Sequence, residues 1–171
     1  MIIEVVPLSG LTEDPRNARK HPVINLASIK ASLVQFGQVE PLVVQKSTGR
    51  VIGGNGRLQV MRDLGWMSAQ IIRLDVDDRK ALALGIALNR SAETAEWNRS
   101  QLSDILQEID EEADGLLAST GFDKDDIAKL CSAAEKTASD ATRAATVATR
   151  EVTFTAREGK KTTCPNCGHE F

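Results

Sequence analysis

The chain has no tyrosine, and only two tryptophans and four phenylalanines among 171 residues. Aliphatic side chains must therefore do most of the packing. No run of about 18 apolar residues occurs, which excludes a membrane-spanning helix. The first residues, Met1-Ile2-Ile3-Glu4, lack the basic-then-apolar layout of a secretory signal. Cysteine is scarce as well: three residues, an odd number, two of them in a CxxC. That pattern fits a reducing compartment and a metal knuckle rather than a disulfide framework.

What is present suffices for one ordinary domain with extensions, since 42% of the residues are hydrophobic. The net charge of −3 conceals an asymmetry. Residues 1–92 hold 12 Lys and Arg against 8 Asp and Glu, whereas residues 93–133 hold 3 against 11. The basic first part suits an anionic ligand, and the acidic segment would repel a phosphate backbone.

Periodicity predicts an α/β fold, a small mixed sheet with packed helices. Ile2 to Pro7 reads as a strand, and residues 9–21 as a turn-rich stretch. A helix is expected over 23–36, with apolar side chains at Ile24, Leu26, Ile29, Leu33 and Phe36. Pro22 suits its first turn and Gly37 its C-cap. Strands are expected at Pro41 to Val44, Val51-Ile52 and Ala69 to Leu74. Helices are expected over 55–64 and from Asp77, a capping residue, to a C-terminal end at Asn89-Arg90. Residues 99–131 give two or three short acidic helices. The expected units are a domain over 1–95, an acidic helical extension over 96–133, an Ala/Ser/Thr-rich linker over 134–149 and a hairpin carrying the CxxC over 150–171.

The sharpest feature is Val51-Ile52-Gly53-Gly54-Asn55-Gly56-Arg57, between a strand and a helix. Glycines leave backbone N–H groups uncovered and allow positive φ. The unpaired amides and positive dipole end of the next helix meet the same point. Arg57 adds a planar, permanently charged fork for phosphate oxygens. Asp14-Pro15-Arg16-Asn17-Ala18-Arg19 supplies two more guanidinium groups, and Asn89-Arg90 a fourth with another amide. A glycine-rich turn with solvated surface arginines is the plainer alternative.

Four ordered motifs carry a resemblance. They are Leu11-x-x-Asp14-Pro15-Arg16-Asn17-Ala18-Arg19, Ser28-Ile29-x-x-Ser32-Leu33-x-x-Phe36-Gly37-Gln38-x-x-Pro41-Leu42-Val43-Val44, Val51 to Leu58, and Ala87-Leu88-Asn89-Arg90. Over roughly residues 1–95 the chain resembles the ParB-like N-terminal domain of the ParB/sulfiredoxin superfamily, in the phage and prophage versions called ParB-like nuclease domains. The resemblance implies a pocket for a CTP-like nucleotide with magnesium, or for a DNA phosphate. It also implies a cytoplasmic setting in a bacterial or phage-infected cell. By motif, the ligand residues would be Arg16, Asn17, Arg19, Gly53, Gly54, Asn55, Gly56, Arg57, Asn89 and Arg90.

The departures are informative. Partitioning ParB proteins carry Gly-Glu-Arg-Arg where this chain has Gly54-Asn55-Gly56-Arg57, so the loop supplies no carboxylate for metal-assisted hydrolysis. Sulfiredoxins carry a nucleophilic cysteine in this loop. Asn55 stands there instead, which removes thiolate chemistry. The histidines of the related free-serine kinases are missing as well. Glu40, before Pro41, is the candidate acid that would serve as a base, if there is one, with a loop carboxylate as the alternative. His21 is expected to be a helix-edge surface residue, and Trp97 to pack on the core. Residues 116–130 superficially resemble a helix-turn-helix, but the second helix opens on Asp123, Asp125 and Asp126, which would face phosphates unfavourably. A structural helical hairpin is the expectation there.

Cys164-Pro165-Asn166-Cys167-Gly168 has the form of a zinc knuckle. It gives two ligands where a structural zinc wants four. Sharing one zinc in a homodimer, completing a site on a protein partner and binding no metal all stay open. Cys131 is expected to be a core thiol. The functional expectation is a nucleotide- or phosphate-binding module of phage or mobile-element DNA metabolism. The alternatives are a metal-dependent nuclease or nucleotide hydrolase, and a protein-interaction adaptor.

Overall fold

The computed structural model of the protein describes residues 2–111 and 115–133. The elements run β1 (Ile3–Pro7), a 3-10 turn (Leu8–Gly10), β2 (Thr12–Glu13), α1 (Val23–Phe36), β3 (Leu42–Gln45) and β4 (Arg50–Gly53). They continue with α2 (Asn55–Asp63), β5 (Ser68–Leu74), α3 (Asp78–Glu93), α4 (Arg99–Glu111) and α5 (Leu116–Thr120). Residues 124–133 form a last described helix, α6. The linker and the CxxC tail with Cys164 and Cys167 lie outside the described residues.

The five strands form one mixed sheet in the order β1-β5-β3-β4-β2. β1 and β5 are antiparallel, β5 and β3 parallel, β3 and β4 antiparallel, and β4 and β2 parallel. β3 is central, so both of its faces are covered: Leu42 and Val44 are fully buried, and so is Gln45. α1 and α2 close one face over a core containing Leu33, Leu42, Val44, Leu58, Met61 and Ile71. Each of these side chains contributes about 1.5–3 kcal/mol by leaving water.

α3 lies against β4. Glycine permits that approach, since a Cβ on Gly85 would stand 3.3 Å from Ile52 O and one on Gly53 2.8 Å from Leu88 Cδ1. Asp77 caps α3, accepting from Lys80 N at 2.8 Å. This helix runs to Glu93, so Asn89 and Arg90 sit in its last turns rather than at its end.

Several expectations shift. α1 has the expected bounds, with Gly37 at φ 70° behind it and Pro22 at its N-cap. Only Leu33 of its apolar residues is fully buried, and Ile24 and Phe36 are exposed. Trp97 is 70% exposed and meets Phe122 edge-on, ring centroids 6.3 Å apart, instead of packing into the core. A two-residue strand, β2, lies inside the turn-rich stretch because Thr12 and Glu13 pair alongside Arg50 and Val51.

α4, α5 and α6 build a second small core from Leu102, Leu106, Leu117 and Ile127. Cys131 borders it, its Sγ 3.1 Å from Ser103 Oγ. At the start of α6, Asp126 N donates to Asp123 Oδ1 (2.9 Å) and Asp123 N to Asp126 Oδ2 (3.3 Å). The acids there form a reciprocal cap of the helix. α5 rests on α1, which joins the two cores. No described helix is long and apolar enough to cross a membrane.

Candidate functional site

The turn from β4 into α2 is built on three glycines, each with its own steric reason. Gly54 is the N-cap of α2 in the left-handed region, at φ 96°. A Cβ there would also meet Leu42 Cδ2 at 2.6 Å and the Arg57 guanidinium at 3.2 Å. A Cβ on Gly56 would meet the His21 ring at 2.8 Å. Gly53 yields to Leu88 of α3, as described above. Bare glycine surface is therefore shared among protein side chains as well as open to the cleft. No side chain caps the first turn of α2.

Around this turn lies a cleft of about 400 Å³, lined by Asn17, Arg19, His21, Glu40, Gly53, Gly54, Asn55, Gly56, Arg57 and Asn89, with Ile29, Val43, Ile52, Leu88 and Ala92 as its apolar wall. Three segments far apart in sequence thus meet. An adjoining hollow of about 240 Å³ is lined by Arg16 and Arg90 and shares Asn17, Arg19, Ile52 and Asn89 with the first. Arg16 and Arg90 border the hollow and not the glycine cleft itself.

Arg57 is mostly buried, its side chain 22% exposed. Its Nη1 donates to Glu40 O at 2.6 Å and lies 2.9 Å from Glu40 Oε2. Burial lowers the Arg57 pKa from its ordinary value, and the Glu40 charge works the other way. The Glu40 carboxylate is therefore the counter-ion of Arg57, itself well exposed to solvent. Arg19 Nη1 donates to Glu93 Oε1, and Arg90 Nη1 stands 3.4 Å from Glu93 Oε2. Glu93 thus sits between two of the arginines. Its position three residues after Arg90 is the signal that would have found it.

The loop carrying Arg16 and Arg19 is folded by its own polar side chains. Asp14 Oδ1 accepts from Arg16 N (3.0 Å), and Asn17 Oδ1 from Arg19 N (3.1 Å), both local turns of the Asx kind. Asn55 pins this loop to the sheet: its Oδ1 accepts from Asp14 N and its Nδ2 donates to Val51 O, each at 3.1 Å. Both ends of the Asn55 side chain are thus engaged within the protein. Asn89 Nδ2 donates to Gly85 O (2.8 Å), one turn back along α3. His21 is half-buried over Gly56, its Nδ1 2.8 Å from Asn25 Oδ1, so it lines the cleft rather than standing on the outer surface.

A second polar cluster was not legible in the sequence. Gln45, 1% exposed, accepts at Oε1 from Thr48 (2.7 Å) and Arg50 Nη2 (2.9 Å) and donates to Val76 O and Asp78 Oδ1, both at 3.0 Å. Arg50 Nη2 also reaches Asp78 at 2.9 Å, and Asp14 lies 3.9 Å from Arg50 Nε, which is buried without a hydrogen bond. The Gln45 hydrogen bond and then the Arg50 charge hold the Asp78 carboxyl below its usual value. This knot ties β3, β4, the start of α3 and the loop at Asp14 together behind the cleft.

No family model and no curated protein matches the chain. Among solved structures it is similar to the C-terminally truncated chromosome-partitioning protein ParB from Caulobacter crescentus complexed with CTP-γ-S, with 18% identity over 76% of this chain and 77% of that one, at a TM-score of 0.63. A Pnob8-like ParB-N domain is also similar, with 26% identity over 70% of this chain and 48% of that one, at a TM-score of 0.47. The fold is ParB-like.

Proposed function

We propose that the chain is a nucleotide- or phosphate-binding module of ParB-like type, acting in phage or mobile-element DNA metabolism in the cytoplasm. The ligand would be a CTP-like nucleoside polyphosphate. One observation carries this reading: Arg19, Arg57, Asn89 and the uncapped start of α2 line a single cleft of about 400 Å³. Guanidinium groups and free helix amides are what phosphate oxygens bind. That a ParB of the same fold was crystallised with CTP-γ-S supports the choice of nucleotide.

Arg57 and Arg19 would grip the phosphates, and Gly54 to Arg57 would offer backbone amides. Arg16 and Arg90 would act from the adjoining hollow. A magnesium ion needs oxygen ligands. Among the described residues the only carboxylate lining the cleft is Glu40, already on Arg57, and no group of three or more His, Cys, Asp or Glu is placed to hold a metal ion. Phosphates and water would supply most of the metal's shell. The same arrangement weakens the alternative of a metal-dependent nuclease or hydrolase, which wants a carboxylate free to work. Direct DNA readout by α6 is disfavoured because its opening acids are its cap. Zinc at Cys164 and Cys167, with a homodimer or partner sharing it, is part of the proposal and is tested by metal analysis of the whole chain.

The decisive experiment is a binding panel of CTP, ATP, GTP and single- and double-stranded DNA, with and without magnesium, cleavage being scored in the same samples. A nucleotide should bind, and Arg57→Ala should weaken it at least about tenfold, the loss of a charge-assisted contact. Binding that survives Arg57→Ala unchanged would overturn the site assignment.

A further inference from the structure

Both cleft arginines already hold an anion, and the anion belongs to the protein. Arg57 Nη1 has Glu40 Oε2 at 2.9 Å, and Arg19 Nη1 is hydrogen-bonded to Glu93 Oε1. The two glutamates come from unrelated places, the loop before β3 and the last turn of α3. Neither is buried: the Glu40 side chain is 78% exposed and that of Glu93 42%. Among the described residues Glu40 has no ion pair other than the one with Arg57, and Glu93 pairs with Arg19 and Arg90 alone. A carboxylate held from the solvent side in this way is weakly bound and gives way when a stronger partner arrives.

We propose that Glu40 in the cleft and Glu93 in the hollow beside it are specificity-determining residues of the site. They act as internal counter-ions that a ligand must displace, so the site admits only ligands bringing several negative charges, as a terminal di- or triphosphate does. This rests on the phosphate-binding reading above and adds the selection rule to it.

The reasoning is an exchange balance. A small anion that reaches one arginine breaks one charge-assisted hydrogen bond to make another of the same kind, and gains little. A chain of phosphates that spans Arg57 and Arg19 replaces two single carboxylate charges by a larger, continuous charge, and both freed glutamates return to water at no desolvation cost. The freed Glu40 and Glu93 then repel any ligand that fails to cover the arginines. With Glu40 and Glu93 in place the arginine-lined surface is close to neutral in the free protein, which suppresses weak, indiscriminate anion binding.

The test is calorimetric titration of the full chain with inorganic phosphate and inorganic tripolyphosphate as probes, at low ionic strength. The proteins compared are the wild type, Glu40→Gln, Glu93→Gln, the double variant and Arg57→Ala. Gln keeps a hydrogen-bonding oxygen for each arginine while removing the charge, and both positions are open to solvent, so folding is preserved. The wild type should prefer tripolyphosphate strongly. In the double variant both probes should bind tighter, phosphate by about tenfold and tripolyphosphate by at least as much because it is spared two displacements, so that phosphate becomes a measurable ligand, each single variant falling between. Affinities for both probes that stay at their wild-type values in the double variant would overturn the inference and leave the phosphate site standing. So would weakening of both probes together in Glu40→Gln, which would mean that Glu40 only props Arg57. If no protein in the set binds either probe, or if Arg57→Ala binds both like the wild type, the phosphate reading falls and this inference with it.

Discussion

Arg50 opens β4 and Arg57 lies seven residues on, in the first turn of α2, and both are largely withdrawn from water. Arg50 is enclosed by Gln45, Asp78 and Asp14, partners that also bond Thr48, Val76 and one another. Among the described residues Arg57 has one hydrogen-bonding partner, Glu40, which is mostly in solvent. Removing Arg50 would strand the buried Asp14 carboxylate and take one of two donors from Gln45 Oε1. Removing Arg57 would strand nothing, since Glu40 rehydrates. An arginine whose burial cost is not returned by a closed set of partners is held ready for something outside the chain. The contrast separates a residue that holds the fold from one that serves a ligand.

The largest expected effect tests that contrast directly. Arg50→Ala leaves Gln45 Oε1 short of a donor and Asp14 without its neighbouring positive charge in a buried setting, and should cost about 3 kcal/mol of stability. Arg57→Ala should change stability by less than about 1 kcal/mol, because lost pairing and relieved desolvation oppose each other. Chemical denaturation of both variants reads the difference. Equal losses would erase the distinction between the two arginines.

The same division explains what the sequence made legible. Strands β1, β3, β4 and β5 and helices α1 to α3 announce themselves by apolar periodicity and by Gly37, Gly65 and Asp77 at their ends. The glycine-arginine turn is local, so Gly53 to Arg57 can be read from consecutive residues. The Arg50 knot is not, because Gln45 looks like any polar strand residue until β3 proves central and buries it. Trp97 and Phe36 mislead in the opposite direction: large apolar side chains suggest a core, yet Phe36 at the end of α1 and Trp97 ahead of α4 are both exposed. His21 reaches the cleft only because the chain ahead of α1 lies over Gly56, a tertiary fact that no spacing rule contains, whereas Glu93 in the adjoining hollow could be found from its spacing to Arg90. Asn55 matches a ligand motif in sequence, whereas in the fold its side chain is occupied as a strut between Asp14 and Val51.

A smaller effect sharpens the comparison inside the turn itself. Gly54→Ala forces an alanine into the left-handed region and drives its Cβ against Leu42, which is fully buried and cannot yield. About 2 kcal/mol should be lost. Gly56→Ala meets only the edge of the His21 ring, which is half-buried and free to swing aside, so about 1 kcal/mol is expected. Thermal melting of the two variants gives the order. If Gly56→Ala proves the more damaging, His21 is locked in place and its contact with the loop is structural.

The smallest effect is a pH dependence that belongs to the knot and not to the cleft. In the folded protein Asp78 is held below its usual pKa by the Gln45 hydrogen bond and the Arg50 charge. A carboxyl depressed in the native state contributes stability above its unfolded pKa of about 3.9 and loses it as pH falls through the lower folded value. Asp78→Asn should therefore leave a protein whose stability declines less steeply than the wild type's below pH about 4, with little change in slope near neutrality. The side chain is largely exposed, so solvent screens the interaction and the difference stays small. Denaturation midpoints at pH 3 and pH 7 for the two proteins measure it. Identical acid slopes would mean that the Arg50 cluster is held by Gln45 and its neutral hydrogen bonds alone, leaving Asp78 as a bystander at the start of α3.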